Sequence, residues 1–109
     1  MQVSVHVNAS DASKALNSYV DRRLRFALSR FGNRLGPVTV QIGIDGPVQT
    51  RCRIAAELLP SGRVAVEDSD ADLFAAIDRA TGRIGRLFGR ELERVRQTRV
   101  SRESVRFAA

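Results

Sequence analysis

Cysteine and histidine each occur once in this 109-residue chain, at Cys52 and His6. One cysteine forms no internal disulfide and no zinc cluster. One histidine without a nearby Cys or carboxylate partner is a poor metal ligand. The same scarcity argues against a Cys–His hydrolase, and no Ser-His-Asp set assembles around a lone histidine. No Gly-rich phosphate loop follows a strand-like segment. No cofactor, no small-molecule substrate and no enzymatic activity are therefore expected. Runs of 18 apolar residues are also missing, so no helix is expected to span a membrane. The opening, MQVSVHV, alternates polar and apolar residues and has neither the basic nor the apolar region of a secretory signal. A cytoplasmic location is expected.

Lysine is nearly absent too. Seventeen of the 18 basic residues are arginine, against 12 acids, which leaves a net charge of +6 and a pI near 11.2. An arginine bias can follow genome composition and carries little weight. The excess of positive charge points to an anionic partner, of which nucleic acid is the commonest. The length allows one domain with a modest core.

Val3, Val5 and Val7 alternate with polar residues and predict a strand. NASDAS then supplies a turn and three candidate helix caps, Ser10, Asp11 and Ser13. From Lys14 the period changes. Leu16, Val20, Leu24, Ala27, Leu28 and Phe31 share one helical face, and Gly32 and Asn33 offer a stop. LGP at 35–37 breaks the pattern before a strand over 37–45, with Val38, Val40, Ile42 and Ile44 on one side. A turn at DGP leads to a third strand carrying Cys52, Ile54, Ala56 and Leu58. PSG at 60–62 leads to a fourth carrying Val64 and Val66. The two short links imply an antiparallel meander, whereas the first helix crosses over between a parallel, right-handed pair.

EDSDAD at 67–72 reads as an acidic cap, suited to the positive end of a helix dipole. The second helix is expected from about Asp70 to about Gln97, burying Leu73, Ile77, Ala80, Ile84, Leu87 and Phe88. Gly82, Gly85 and Gly89 inside it each cost roughly 0.8–1 kcal/mol relative to Ala. Either they let another backbone approach closely or they only weaken the helix. Residues 98–109 show no clear period and are expected to form a basic, flexible tail after a 1–97 domain. The order β-α-β-β-β-α predicts an α+β fold. Its four-stranded sheet has both helices on one face, an open sandwich like that of double-stranded RNA-binding domains.

Arg79, Arg83, Arg86, Arg90 and Arg94 are spaced to fall within about 80° of one another on a helix, roughly 120° from the apolar stripe. Solvated faces usually mix signs. Here like charges follow one another at i,i+4, each pair costing about 0.2–0.5 kcal/mol, and only Glu93 offers local relief. Phosphates would neutralise such a stripe. The first helix adds Lys14, Arg22, Arg23, Arg25 and Arg30, with Tyr19 and Phe26 among them. Those rings either serve a nucleic-acid surface or extend the core, the commoner fate for each alone. The outward sheet residues include Ser4, His6, Thr39, Gln41, Arg51, Arg53 and Glu67, with no aromatic on which to stack bases as an RRM does. There is no GXXG loop of the KH kind either. RNA is thus expected on the helices. The carboxylates Glu67, Asp68, Asp70 and Asp72 are explained by capping better than by catalysis.

MQVSVHV, SKALNSYVDRRLRFALSRFGNRL and above all DSDADLFAAIDRATGRIGR resemble the ribosome hibernation promoting factors, also called ribosome-associated inhibitor or subunit interface proteins. The similarity covers residues 1 to about 97. Departures are Val7-Asn8-Ala9, where many members have a Gly-basic-His/Asn segment, a compact DGPVQTR link, and the glycines of the second helix. The resemblance implies binding to the small ribosomal subunit and its 16S-type rRNA, also within the whole ribosome. The site implied is the channel taken by mRNA and the A- and P-site tRNAs, so that translation is blocked sterically. It implies rRNA contacts at Lys14, Arg22 and Arg25, and at Arg79, Arg83, Arg86 and Arg90. It further implies a short form without the dimerising C-terminal domain, monomeric off the ribosome. A binding module for another structured RNA, or an adaptor for an acidic protein, are the alternatives.

Overall fold

In the computed structural model the described residues are 2–7, 14–44 and 46–108, with the side chains of Val7, Lys14 and 98–108 outside the description. The elements are β1 (Val3–Val7), α1 (Lys14–Leu28), a 3-10 segment (Ser29–Arg34), β2 (Leu35–Ile44), β3 (Thr50–Leu58), β4 (Arg63–Asp70) and α2 (Leu73–Ala108). The sheet order is β1-β2-β3-β4. β1 runs parallel to β2, with Val5 opposite Val40. β2–β3 and β3–β4 are antiparallel, with Ile54 opposite both Val40 and Val66. This is the expected α+β order and connectivity.

The core lies between the sheet and the helices. Val38, Val40, Ile42, Cys52, Ile54, Ala56, Leu58, Val64 and Val66 are buried on one sheet face. Leu16, Val20, Leu24 and Leu28 of α1 and Ile77, Ala80, Ile84 and Phe88 of α2 close over them. Period-2 and period-3.6 patterns in the sequence thus converge on one apolar layer. Burial pushes the Cys52 thiol up to about 12, so it stays a neutral, inert part of that layer.

Four features differ from the sequence reading. First, β2 begins at Leu35, because the strand absorbs LGP as a register shift between Leu35 and Val38. A bulge accommodates Pro37, which has no N–H for the ladder. Second, β4 continues through Asp70, so Glu67, Asp68 and Asp70 lie on a strand and not in a helix cap. Only Asp72 caps α2, accepting from the Phe74 N–H at 3.0 Å. Third, α2 carries on past Gln97 to Ala108, where no periodic pattern announced it. Fourth, Ile44 is 62% exposed at the β2 end. α1 stops before Gly32, whose φ of 54° suits a residue without a Cβ. The candidate caps Ser10, Asp11 and Ser13 lie outside the described residues, as does Asp45 of the DGP turn.

The helix glycines separate into different roles. A Cβ on Gly85 would lie 3.2 Å from the Ala27 carbonyl oxygen, so α2 meets the backbone of α1 there. A Cβ on Gly89 would make ordinary contact with the Phe31 ring, and one on Gly82 would meet only Arg86 Nη1 at 3.6 Å. Gly82→Ala is therefore expected to raise stability by about 0.8–1 kcal/mol, the ordinary helix gain. Gly85→Leu is expected to lower it by about 1–3 kcal/mol through overpacking. Urea unfolding of the two variants checks the opposite signs.

Candidate nucleic-acid interface

The outer faces of α1 and α2 carry the candidate arginines, but the fold divides them. Arg79 reaches back to β4. Its Nη2 donates to Asp68 Oδ1 at 3.0 Å, to Asp70 Oδ2 at 2.8 Å and to the Ser69 carbonyl at 3.1 Å. Arg83 Nη1 donates to the Glu67 carbonyl at 2.9 Å and lies 3.6 Å from Asp68 Oδ2. The acids that answer the first half of the stripe thus come from a neighbouring strand. Sequence spacing along α2 could not display them. The Arg79 guanidinium holds the Asp68 carboxyl below its ordinary value. Asp70 is held low first by the Asp72 N–H and then by Arg79. The charge of these carboxylates is thus engaged by Arg79 and Arg83.

Arg86 and Arg90 are different. Both are exposed, and no acid among the described residues lies within ion-pair distance of either. With Arg83, Leu87 and Val66 they line a cleft of about 200 Å³ between α2 and β4. Arg94, the next in the stripe, pairs with Glu91 three residues before it. On α1, Arg25 is held by Asp21 at 2.7 Å, and Arg22 is exposed without a described partner. Lys14 opens α1, and its side chain lies outside the described residues.

Arg86 also borders a groove of about 210 Å³ between the helices, shared with Arg23, Phe26 and Arg30. Arg22 and Arg25 are not part of this groove. The structure therefore joins the stripe to Arg23 and Arg30 and leaves the other two α1 arginines apart. Arg23 lies 3.3 Å from Asp78, which also accepts a hydrogen bond from the Tyr19 hydroxyl. That bond, first among its causes, raises the Tyr19 pKa. Arg30 sits 4.8 Å over the Phe31 ring. Tyr19 is partly buried in edge contact with Phe74, centroids 5.0 Å apart, as a core extension would be. Phe26 is 84% exposed and is no part of the core. The sequence set Arg23, Phe26 and Arg30 on the flank of the α1 apolar face, but their gathering around Ala27 depends on where α2 approaches it.

The other sheet face holds a basin of about 460 Å³ bordered by His6, Gln41, Arg53 and Glu67, with no Phe, Tyr or Trp in its lining. Arg51 there pairs with Glu67 at 3.3 Å. Among the described residues no His, Cys, Asp or Glu side chains gather as a metal site, and no helix is long and apolar enough to cross a membrane.

The family described as Sigma 54 modulation protein / S30EA ribosomal protein matches residues 3–96. The chain belongs to this family. Its members are ribosome-associated subunit-interface and hibernation proteins, in agreement with the resemblance read from the sequence. The structure is similar to the N-terminal domain of Protein Y from Thermus thermophilus, with 32% identity and a TM-score of 0.72. The match covers 83% of this chain and 98% of that one. It is also similar in fold to a ribosomal subunit interface protein from Coxiella burnetii. That match has a TM-score of 0.75 and 13% identity over 85% of this chain and 99% of that one. No curated protein matches the chain.

The Arg79 clamp gives the fold an acid limit. Asp68 and Asp70 have folded pKa values below their ordinary 3.8. Their contribution to stability is therefore fully present above that value and drains as pH falls below it, through the depressed folded values. Urea unfolding of the native protein at pH 6 and pH 3 should show a larger loss than that of Arg79→Met. Equal losses in the two proteins would show that the clamp contributes nothing.

Proposed function

We propose that this protein binds the small ribosomal subunit in the channel between head and body. There it occupies the path of mRNA and of the A- and P-site tRNAs and inhibits translation by steric exclusion. It contacts 16S-type rRNA, on free subunits and on whole ribosomes in the cytoplasm, as a monomer when off the ribosome. Family membership supplies the ribosome as partner. The observation that carries the interface is the pair Arg86 and Arg90, exposed and without a described acid partner, beside arginines that β4 has already neutralised. An unpaired guanidinium on a rigid helix is free to take a phosphate in a bidentate, charge-assisted contact.

Among the seven expected contact residues, Arg86, Arg90 and Arg22 have their charge available. Arg25, Arg79 and Arg83 must share theirs with Asp21, Asp68 and Asp70. Lys14, the first residue of α1, is the seventh proposed contact. Contact through helix arginines reads the shape and phosphates of folded RNA more than its bases.

Charge reversal tests this directly. Arg86→Glu with Arg90→Glu is expected to abolish co-sedimentation with purified small subunits in a sucrose gradient, without lowering the thermal midpoint. Arg86→Ala with Arg90→Ala should flatten the slope of log affinity against log salt by about two, roughly one per lost phosphate contact. Normal co-sedimentation of the charge-reversed protein would refute the interface. Equal affinity of the native protein for unrelated structured RNAs would replace the ribosomal site with a general RNA-binding role.

A further inference from the structure

The phosphate contacts above leave Phe26 unused. It is 84% exposed, more than Val48 at 75% or Ile44 at 62%, and those two flank the β2–β3 turn. Fully burying a phenylalanine is worth about 1.5–3 kcal/mol, so a ring left on a helix surface forgoes that gain. Phe26 is placed at one wall of the α1–α2 groove. Arg86 stands at the opposite wall, without an acid partner among the described residues. Between them the floor is small. Gly82 has open space above its Cα apart from Arg86 Nη1. Thr81 is buried and already donates its hydroxyl to the Asp78 carbonyl at 3.0 Å. The groove, which Arg23 and Arg30 also line, therefore pairs a flat apolar surface with the Arg86 guanidinium, over a floor of Thr81 and Gly82 that demands no hydrogen bond.

We propose that this groove takes one unstacked nucleotide of rRNA, its base stacked on the Phe26 ring and its phosphate held by Arg86. The assignment rests on the ribosome-binding reading and names what that site would recognise. An isolated anion would use Arg86 and leave the ring idle. An apolar protein side chain would use the ring and leave the arginine desolvated beside it. Only a planar ring bearing a negative charge uses both walls. Stacking tolerates any base, so the groove selects an unpaired nucleotide over a paired one.

The chain has no tryptophan, so Phe26→Trp places a single tryptophan in the groove, which can be excited apart from Tyr19. Its emission should be quenched by a single-stranded oligoadenylate and by small subunits, and not by a fully paired RNA duplex. Phe26→Ala should weaken binding to both about 5- to 150-fold, the range of base–aromatic stacking. Phe26→Tyr should retain it. Because the lost contact is uncharged, the Phe26→Ala salt slope should match that of the native protein, whereas Arg86→Ala should lower it by about one. Gly82→Leu, which fills the groove with a good helix former, should reproduce the Phe26→Ala loss. Subunit binding unchanged in Phe26→Ala, with no quenching of Phe26→Trp, would overturn the nucleotide site and leave the ribosome reading standing. Weakened subunit binding with no response to any RNA would overturn it in favour of a ribosomal protein side chain. If the native protein fails to bind subunits, the ribosome reading falls, and the oligoadenylate titration alone decides the groove.

Discussion

The close approach of α2 to α1 at Gly85 is the constraint on which the proposed binding side of this molecule depends. With no side chain at that position, the helix backbone comes to rest against the Ala27 carbonyl. Ile84 and Phe88 then reach the core alongside Leu24 and Leu28. The same contact fixes what lies outside it. One residue beyond Gly85, Arg86 stands over the junction of the helices, and one residue before Ala27, Phe26 stands over it from the other side. A glycine that weakens the helix in isolation thereby sets the geometry of the surface between the two helices.

Charge is distributed by a second constraint, the extension of β4 through Asp70. Had the strand ended at Val66, the acids that follow it would have capped a helix. Instead Asp68 and Asp70 face α2 and accept from Arg79, with Arg83 close behind. The stripe is thus two surfaces. Its first half ties helix to sheet, and its second half, Arg86 and Arg90, keeps its charge for something else. Such a division suits a domain that must hold its helices rigid while presenting positive charge to a polyanion.

Much of this was legible in the sequence. Val38, Val40 and Ile42 announced their strand by alternation, and Leu16, Val20, Leu24 and Leu28 their helix by period, because burial on one face writes itself into residue order. The segment DADLFAAIDRATGRIGR carried the family. What could not be read is what depends on neighbours distant in sequence. The partners of Arg79 sit nine to eleven residues back, on another element. The exposure of Phe26 depends on where α2 crosses α1, and the role of each glycine depends on which atom stands opposite. The helix beyond Gln97 was missed because a segment without an apolar stripe leaves no periodic trace.

In the proposed complex the arginine-bearing helices fill the space otherwise taken by mRNA and tRNA on the small subunit. Sucrose-gradient co-sedimentation of the native protein with purified small subunits, with and without tRNA and mRNA as competitors, tests it most directly. Co-migration that is lost when the competitors are added is the expected result. Co-migration that persists unchanged under saturating tRNA and mRNA would contradict it.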